Sequence, residues 1–372
     1  MTFAVNIAQG GSNNTTFRNR IINGAMVIDQ RNAGASVSVT IASPSNTFSC
    51  DRFKLTNQTD GTFTAQQSTT TPAGFVNSLL ITSTVADASL GATQYAQVEQ
   101  RIEGNNVADL GWGTANAQTV TLSFWVRSNL TGTFCATLYN SNGSRSYVST
   151  YTINSANTWE QKIITVPGDT GGTWQTGTLT GIDVIFCLAV GSTYQQAAGS
   201  WGTTSFAIGT SGQTNFMAST SNTFYITGVQ LEAGTTATPF EQRLYGTELS
   251  LCQRYFSSSF VVGTAPANNQ NYITNSFGGG LATYVSNSAW TETMKFPVSM
   301  RTTPTITFYS VNLPASPTAN QWVYYNLAGW FSFSSTGPQN VNQDYFNLAV
   351  TGTWSANVNF LYAGAWAASA EL

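Results

Sequence analysis

The run Val120-Thr121-Leu122-Ser123-Phe124-Trp125-Val126-Arg127 sets apolar and polar side chains in alternation. A period of two is the pattern of a strand with one buried face. Similar runs recur at Thr133–Tyr139, Tyr147–Ile153, Glu160–Val166, Gly181–Val190 and Thr223–Leu231, and another begins around Phe53 and Leu55. Gly- and Asp-containing turns separate them. About eight to ten short strands in some 210 residues predict a jelly-roll β-sandwich spanning 21–240. Asn142-Gly143, between two of the runs, predicts a tight hairpin, because Asn-Gly takes positive φ readily.

After the closing strand at Asn222–Gly234 the pattern breaks. Leu244, Glu248, Leu251 and Tyr255 recur at three- and four-residue spacing, which predicts a short helical linker over 241–256 with one apolar face. Strands then return, most clearly at Thr305–Tyr309, Trp322–Tyr325 and Asn357–Tyr362, with Pro297, Pro304, Pro314 and Pro317 in the connections. They predict a second, smaller β-sandwich over 257–372. Residues 1–20 hold the polar stretch Gly10–Thr16 and read either as an extended arm, with Phe3, Val5, Ile7 and Phe17 as its apolar anchors on a larger assembly, or as an ordinary frayed terminus. The fold class is all-β: two jelly-roll-like sandwiches joined by a short helix.

Composition narrows the function. Only 8% of the 372 residues are charged and 13% are aromatic, so polar uncharged side chains carry the solubility and the chain is too aromatic for a disordered one. The 13 basic residues stand singly, which argues against a nucleic-acid groove. Apolar runs such as Val184–Val190 are too short for a membrane-spanning helix, and no basic-then-apolar leader is visible at Met1–Val5. Cys50, Cys135, Cys187 and Cys252 are far apart in apolar surroundings. They predict buried free thiols and assembly in a reducing compartment.

With no histidine, imidazole catalysis and a Ser-His-Asp triad are excluded, and no phosphate-cradling glycine loop occurs. The remaining enzymatic candidate is a carboxylate pair. Glu99 and Glu103 flank Arg101 on one face of a strand, an arrangement that reads as a salt-bridged surface row, so no catalytic residue is assigned. Asp109, Asp169 and Asp183 stand in or beside turns, where Asp bonds its own backbone. A structural calcium at such a turn stays open and unassigned; no other cofactor is expected.

Aromatic side chains are what is left. Trp174, Tyr194 and Trp201 lie in Gly-, Ser-, Thr- and Gln-rich loops, and Trp290, Trp322, Tyr324, Tyr325 and Trp330 in the C-terminal region. Exposed rings of this kind stack on the C–H face of a sugar, and equally well pack in cores or between subunits. Of Phe124 and Trp125, neighbours in one strand, one must be core.

Asn19–Met26, Asp29-Gln30-Arg31, Cys50–Phe53, Gln97–Gly104, Ser123–Arg127, Val229–Gly234 and Gln253–Phe256 together resemble a widespread group of bacteriophage tail-fibre-like structural proteins, over roughly residues 17–256. Phe296–Arg301 with Thr303-Pro304-Thr305 looks like the terminal domain that often follows. The first domain also resembles jelly-roll carbohydrate-binding modules, although no calcium site of theirs can be matched here. The resemblance implies a virion protein assembled in the host cytoplasm, a fibre or appendage without catalysis. Its arm would hold other virion proteins, its copies would form a homotrimer, and its aromatic loops would hold host-surface glycan. A purely structural decoration or adaptor protein and a glycan-degrading tailspike stay open beside it.

Overall fold

Strands carry nearly all the regular structure. They begin with β1 (Val37–Val39), β2 (Thr47–Phe48), β3 (Lys54–Asn57), β4 (Thr62–Ser68), β5 (Ser78–Val85) and β6 (Tyr95–Glu103). Next come β7 (Val120–Ser128), β8 (Gly132–Asn140), β9 (Arg145–Ile153), β10 (Glu160–Val166), β11 (Thr180–Val190), β12 (Trp201–Gly202) and β13 (Thr223–Ala233). Helix α1 (Tyr245–Gln253) precedes β14 (Phe256–Ser258), β15 (Phe277–Thr283), β16 (Trp290–Lys295), β17 (Thr305–Tyr309) and β18 (Val323–Tyr325). The last are β19 (Trp330–Ser332), β20 (Ser335–Gln339), β21 (Tyr345–Thr351) and β22 (Asn359–Ser369). This computed structural model describes residues 17–143, 145–204, 206–270, 277–283, 290–313, 318–325, 329–333, 335–351 and 359–372.

The chain packs as two compact units. The first comprises the residues before Val27 with Ser38–Ser45 and Leu55–Leu244; the second comprises Val27–Val37, Asn46–Lys54 and Tyr245–Leu372. The second unit therefore takes in two stretches that the sequence division leaves in the first, and it also takes in α1.

In the first unit a six-stranded sheet, β1-β4-β5-β13-β7-β10, lies against a second sheet ordered β12-β9-β8-β11-β6-β3. Inward positions of β7 (Leu122, Phe124, Val126) are buried. The Phe124 ring meets Phe186 and Tyr151 of the opposite sheet edge-on at 5.0 and 5.1 Å. Phe134 stacks on Tyr151 at 6.0 Å. Of the Phe124–Trp125 pair, Phe124 is core, and Trp125 looks outward, half-buried.

Strand β13 pairs with both β5 and β7, so it closes the sheet from inside rather than at an edge. Its register slips between Thr227 and Gln230, where Gly228 has φ +62°. A Cβ at Gly228 would come within 2.6 Å of the Phe75 ring and 3.1 Å of Trp125. Only glycine fits this bulge both conformationally and sterically. Gly228→Ala should lower the unfolding free energy by about 2 kcal/mol, the left-handed backbone term of roughly 1–2 kcal/mol plus displacement of Phe75. Thermal unfolding checks it.

The β8–β9 hairpin forms where Asn142-Gly143 predicts it, with Asn140 opposite Arg145, but the turn differs. Neither Asn142 nor Gly143 takes a positive φ. Instead the Asn140 side-chain oxygen accepts from the backbone N–H groups of Asn142 and Gly143 at 3.1 and 2.9 Å. This local Asx bonding holds the loop without a left-handed residue at either Asn142 or Gly143.

In the second unit β22 is the hub, pairing with β14, β15, β17 and β18. β18 also pairs with β19, and β16, β21 and β20 form a separate three-stranded sheet. Met300, Phe308, Trp322, Phe333, Phe346 and Trp366 belong to its core. α1 is present, and its buried side matches the expected face only in part. Leu244 is 81% exposed and precedes the helix, whereas Glu248, Cys252 and the following Tyr255 are buried. Just past the helix the Arg52 guanidinium lies 3.5 Å over the Tyr255 ring.

All four cysteines are buried free thiols. Burial pushes each of them up from the ordinary thiol value, most strongly at Cys50, Cys252 and Cys187. A neutral, enclosed thiol is a poor nucleophile. The native protein should therefore react with no equivalent of a thiol-alkylating reagent at neutral pH, and with four once unfolded in denaturant, counted by mass spectrometry.

Candidate functional site

At one end of the first unit the chain gathers three tryptophans. Trp112 sits between Gly111 and Gly113, at φ +62° and +84°. The Trp112 ring lies 4.7 Å from Trp174 and 5.3 Å from Trp201, and those two are 5.5 Å apart, all edge-to-face. Tyr147 of β9 meets Trp201 at 5.4 Å. Glycines flank Trp112 because the backbone passes so close: a Cβ on Gly113 would fall 2.8 Å from the Gly172 carbonyl oxygen and 3.2 Å from the Trp174 ring.

Asp169 organises the loop that presents Trp174. Its carboxylate accepts from the Arg145 Nε and, at 2.6 Å, from Nη2. It also accepts from the backbone N–H of Gly171 at 3.0 Å and from the Trp174 indole at 3.3 Å. The bidentate pairing holds the Arg145 guanidinium above its usual value. Trp112 donates to the Gln118 carbonyl at 2.7 Å and Trp201 to that of Pro167 at 2.8 Å.

Beside these rings lies a pocket of about 150 Å³, lined by Val107, Ala108, Gly111, Trp112, Thr114, Trp174, Gln175, Thr176 and Ile182. None of these side chains is ionisable. The Gln175 amide and the Thr176 hydroxyl have no hydrogen-bond partner among the described residues. Apolar ring faces with unengaged amide and hydroxyl groups can hold a small uncharged, hydroxyl-rich ring, by stacking and by hydrogen bonds. The volume is below the roughly 300 Å³ at which drug-sized pockets begin, so it suits one ring rather than an extended chain.

The other aromatic candidates separate from this cluster. Tyr194, expected beside Trp174 and Trp201, instead packs edge-on against Tyr95 at 5.2 Å and Phe206 at 5.4 Å. Trp322 is fully buried in the second unit's core, where it donates to the Ala365 carbonyl at 3.1 Å. It offers no face to a ligand, which corrects the reading of it as a sugar platform. Tyr324 is half-buried and stacks on Phe331 at 5.7 Å. Trp290 and Trp330 are placed by backbone pairing, opposite Val350 and Tyr325, and their side chains lie outside the described part. Phe17 is exposed, with the Arg243 guanidinium 5.2 Å from its ring. Phe3, Val5 and Ile7 lie outside the described residues.

The Glu99–Arg101–Glu103 row is not at the surface. Glu99 and Glu103 are each 1% exposed. Arg101 Nη2 lies 3.2 Å from Glu99, and its Nε lies 3.8 Å from Asp183. The reason is a cover that periodicity does not reveal. On that sheet face, where Ile185 stands opposite Glu99 and Cys187 opposite Gln97, Phe206, Ala207 and Ile208 pack down on Cys135, Val148, Ile185 and Cys187. Asp109, Asp169 and Asp183 each face an arginine: Arg20 at 2.5 Å, Arg145, and Arg101. No group of three or more acidic or thiol side chains converges among the described residues.

Glu160, at the start of β10, fixes the turn just before it. It accepts from the backbone N–H groups of Asn154 and Ser155 at 2.8 and 2.9 Å and from Lys162 at 2.6 Å. Burial pushes its carboxyl up, but Lys162 and the amide donors outweigh that and hold it down at about 2. A lowered folded value means the turn gains stability above pH 4.5 and loses it as the pH falls through about 2. A carboxyl-detected NMR titration should give that midpoint, and Glu160→Gln should flatten the acid limb of the stability curve.

No protein-family profile matches the chain, and no curated protein matches it. Among solved structures it is similar to the enzymatically active domain of bacteriophage CBA120 tailspike protein 4, at 12% identity and a TM-score of 0.30, over 59% of this chain and 22% of that one. The chain thus spans about a fifth of that protein's length. It is also similar to a putative sugar binding protein from Bacteroides thetaiotaomicron, at 13% identity and a TM-score of 0.35, over 58% of this chain and all of that one. A third is the family 11 carbohydrate-binding module from Clostridium thermocellum, at 11% identity and a TM-score of 0.28, over 54% and 98%. The fold assignment rests on the strand order and the two-sheet core.

Proposed function

We propose that this chain is a bacteriophage virion component, a fibre or appendage subunit that holds host-surface glycan in the Trp112–Trp174 pocket without catalysis. The observation that carries the glycan reading is the pairing of two tryptophan rings with the unengaged Gln175 and Thr176 in a pocket free of ionisable groups. The virion reading is supported by the motifs over residues 17–256 and by the apolar side chains of the arm. Four unoxidised thiols suit assembly in a reducing cytoplasm before release. A homotrimer would present three pockets at fixed spacing, so that weak single-site binding becomes firm attachment.

The test is a glycan array and host-cell binding with the full chain. The wild type should be retained, and Trp174→Ala and Gln175→Ala should each lose at least tenfold. Unchanged retention in both variants would overturn the site. A second reading, structural packing alone, is favoured by one observation: all three indole N–H groups of the cluster are bonded within the chain. It predicts no retention by the wild type on any glycan. Release of sugar from host polysaccharide that Glu103→Gln abolishes would overturn the non-catalytic reading.

A further inference from the structure

The outward face of the six-stranded sheet is built differently from the pocket. Cross-strand pairing sets Gln66, Leu80, Tyr225 and Arg127 in one row across β4, β5, β13 and β7, and Thr227, Trp125 and Gln161 in the next across β13, β7 and β10. Trp159 closes the first row, its ring 6.0 Å from Tyr225. Trp125, Tyr225 and Trp159 are each half-buried. Phe75 and the Gly228 bulge support Trp125 from one side.

The donors on this face are unspent. The indole N–H groups of Trp125 and Trp159 have no partner among the described residues, in contrast to Trp112, Trp174 and Trp201. Arg127 lies 4.9 Å over the Tyr225 ring and donates its Nε to the Asn157 carbonyl at 2.9 Å. That bond and the ring fix the guanidinium, while both Nη groups stay unpaired among the described residues. Arg127 is also the only charged side chain in these two rows, and no acidic residue faces it there. Beyond the bulge the face is covered, since Glu232 is buried and bonded to Thr238.

We propose that Trp125, Arg127, Trp159 and Tyr225 form a binding platform for an extended acidic glycan, a second site distinct from the pocket. The rings carry the C–H faces of successive sugar units, and the fixed guanidinium takes a uronate or sialate carboxylate through its two Nη groups. A planar face without walls suits the interior of a polymer, where the pocket suits a single ring. Charge complementarity selects the ligand: two unpaired indole N–H groups and one guanidinium with both Nη groups unpaired call for an acceptor-rich anion.

Affinity electrophoresis of the full chain in polygalacturonate, hyaluronate and polysialic acid, each against its carboxyl-reduced neutral form, tests this. At least one acidic polymer should retard the wild type, and retardation should fall as salt is raised. Arg127→Gln should weaken it at least tenfold and Trp159→Ala about as much. Arg127→Lys should recover only part, because it lacks the planar fork, and Trp174→Ala should leave it unchanged. Thermal unfolding confirms that each variant is folded. Equal retardation by the neutral forms, no retardation by any of the three acids, or an unaffected Arg127→Gln variant would overturn the proposal. So would a fall in oligomeric mass on Trp159→Ala, which assigns the face to a second copy of the chain. Loss of pocket binding alone, through Trp174→Ala, would leave it standing.

Discussion

Glu371→Gln should lower the stability of the second unit by about 3–5 kcal/mol, the cost of removing one partner from a buried ion pair. The Glu371 carboxylate is paired with Arg52 and, at 2.8 Å, with Arg31, and the side chains of Glu371 and Arg52 are each only 2% exposed. Arg31 also reaches Asp51 at 3.3 Å. Burial lowers the Arg31 guanidinium from its ordinary value and raises the Asp51 carboxyl, each partly countered by the other. Glutamine keeps the shape and removes the charge, taking one carboxylate from two desolvated guanidinium groups. Hydrogen exchange at the β22 amides across a urea series reads the loss in this unit. Arg52→Met combined with Glu371→Leu should cost less than Glu371→Gln alone, since it leaves no unpaired charge at that contact. An equal or larger cost would show that packing rather than charge balance dominates there.

Trp322→Ala should cost a similar about 3–5 kcal/mol, for a different reason. The ring stacks on Tyr362 at 6.1 Å and packs against Phe308 at 5.6 Å. The neighbouring backbone is fitted to it so closely that a Cβ on Gly364 would fall 2.1 Å from the indole. Removing the ring leaves a cavity that the surrounding sheet cannot fill. Gly364→Ala should be damaging from the opposite direction, by forcing the indole out of place. Where the Trp322→Ala chain folds, glycan retention by the first unit should be unchanged, which separates a core tryptophan from a binding one.

Both sandwiches were legible because their signal is local. Alternation along Val120–Arg127 states which face is buried, and Asn222–Gly234 reads correctly as a strand that completes a module. The site was only half legible. Trp174 and Trp201 stand out in polar loops, but their partner Trp112 lies in a turn with no period, and only its flanking glycines mark it. Alternation exposes the Glu99 row on paper, and a covering segment a hundred residues further on buries it. Trp322 and Trp174 look alike in sequence, since an aromatic residue in a short irregular stretch says nothing about what will pack on it. Trp125 carried its signal openly: once Phe124 is inside, its neighbour must face out.

The three-stretch composition of the second unit bears on how the molecule is made. Arg31 and Glu371, which meet in its interior, are 340 residues apart in the chain, and the hub strand β22 is synthesised only after the whole of the first unit. Contacts of such separation form slowly, because a long loop must close before any of them is gained. The stretches Val27–Val37 and Asn46–Lys54 must therefore wait for their partners in Tyr245–Leu372 while the first unit's strands are synthesised. A nascent chain arrested near Leu244 should expose those stretches to protease and to chaperone, and synthesis through β22 should protect them in a single late step.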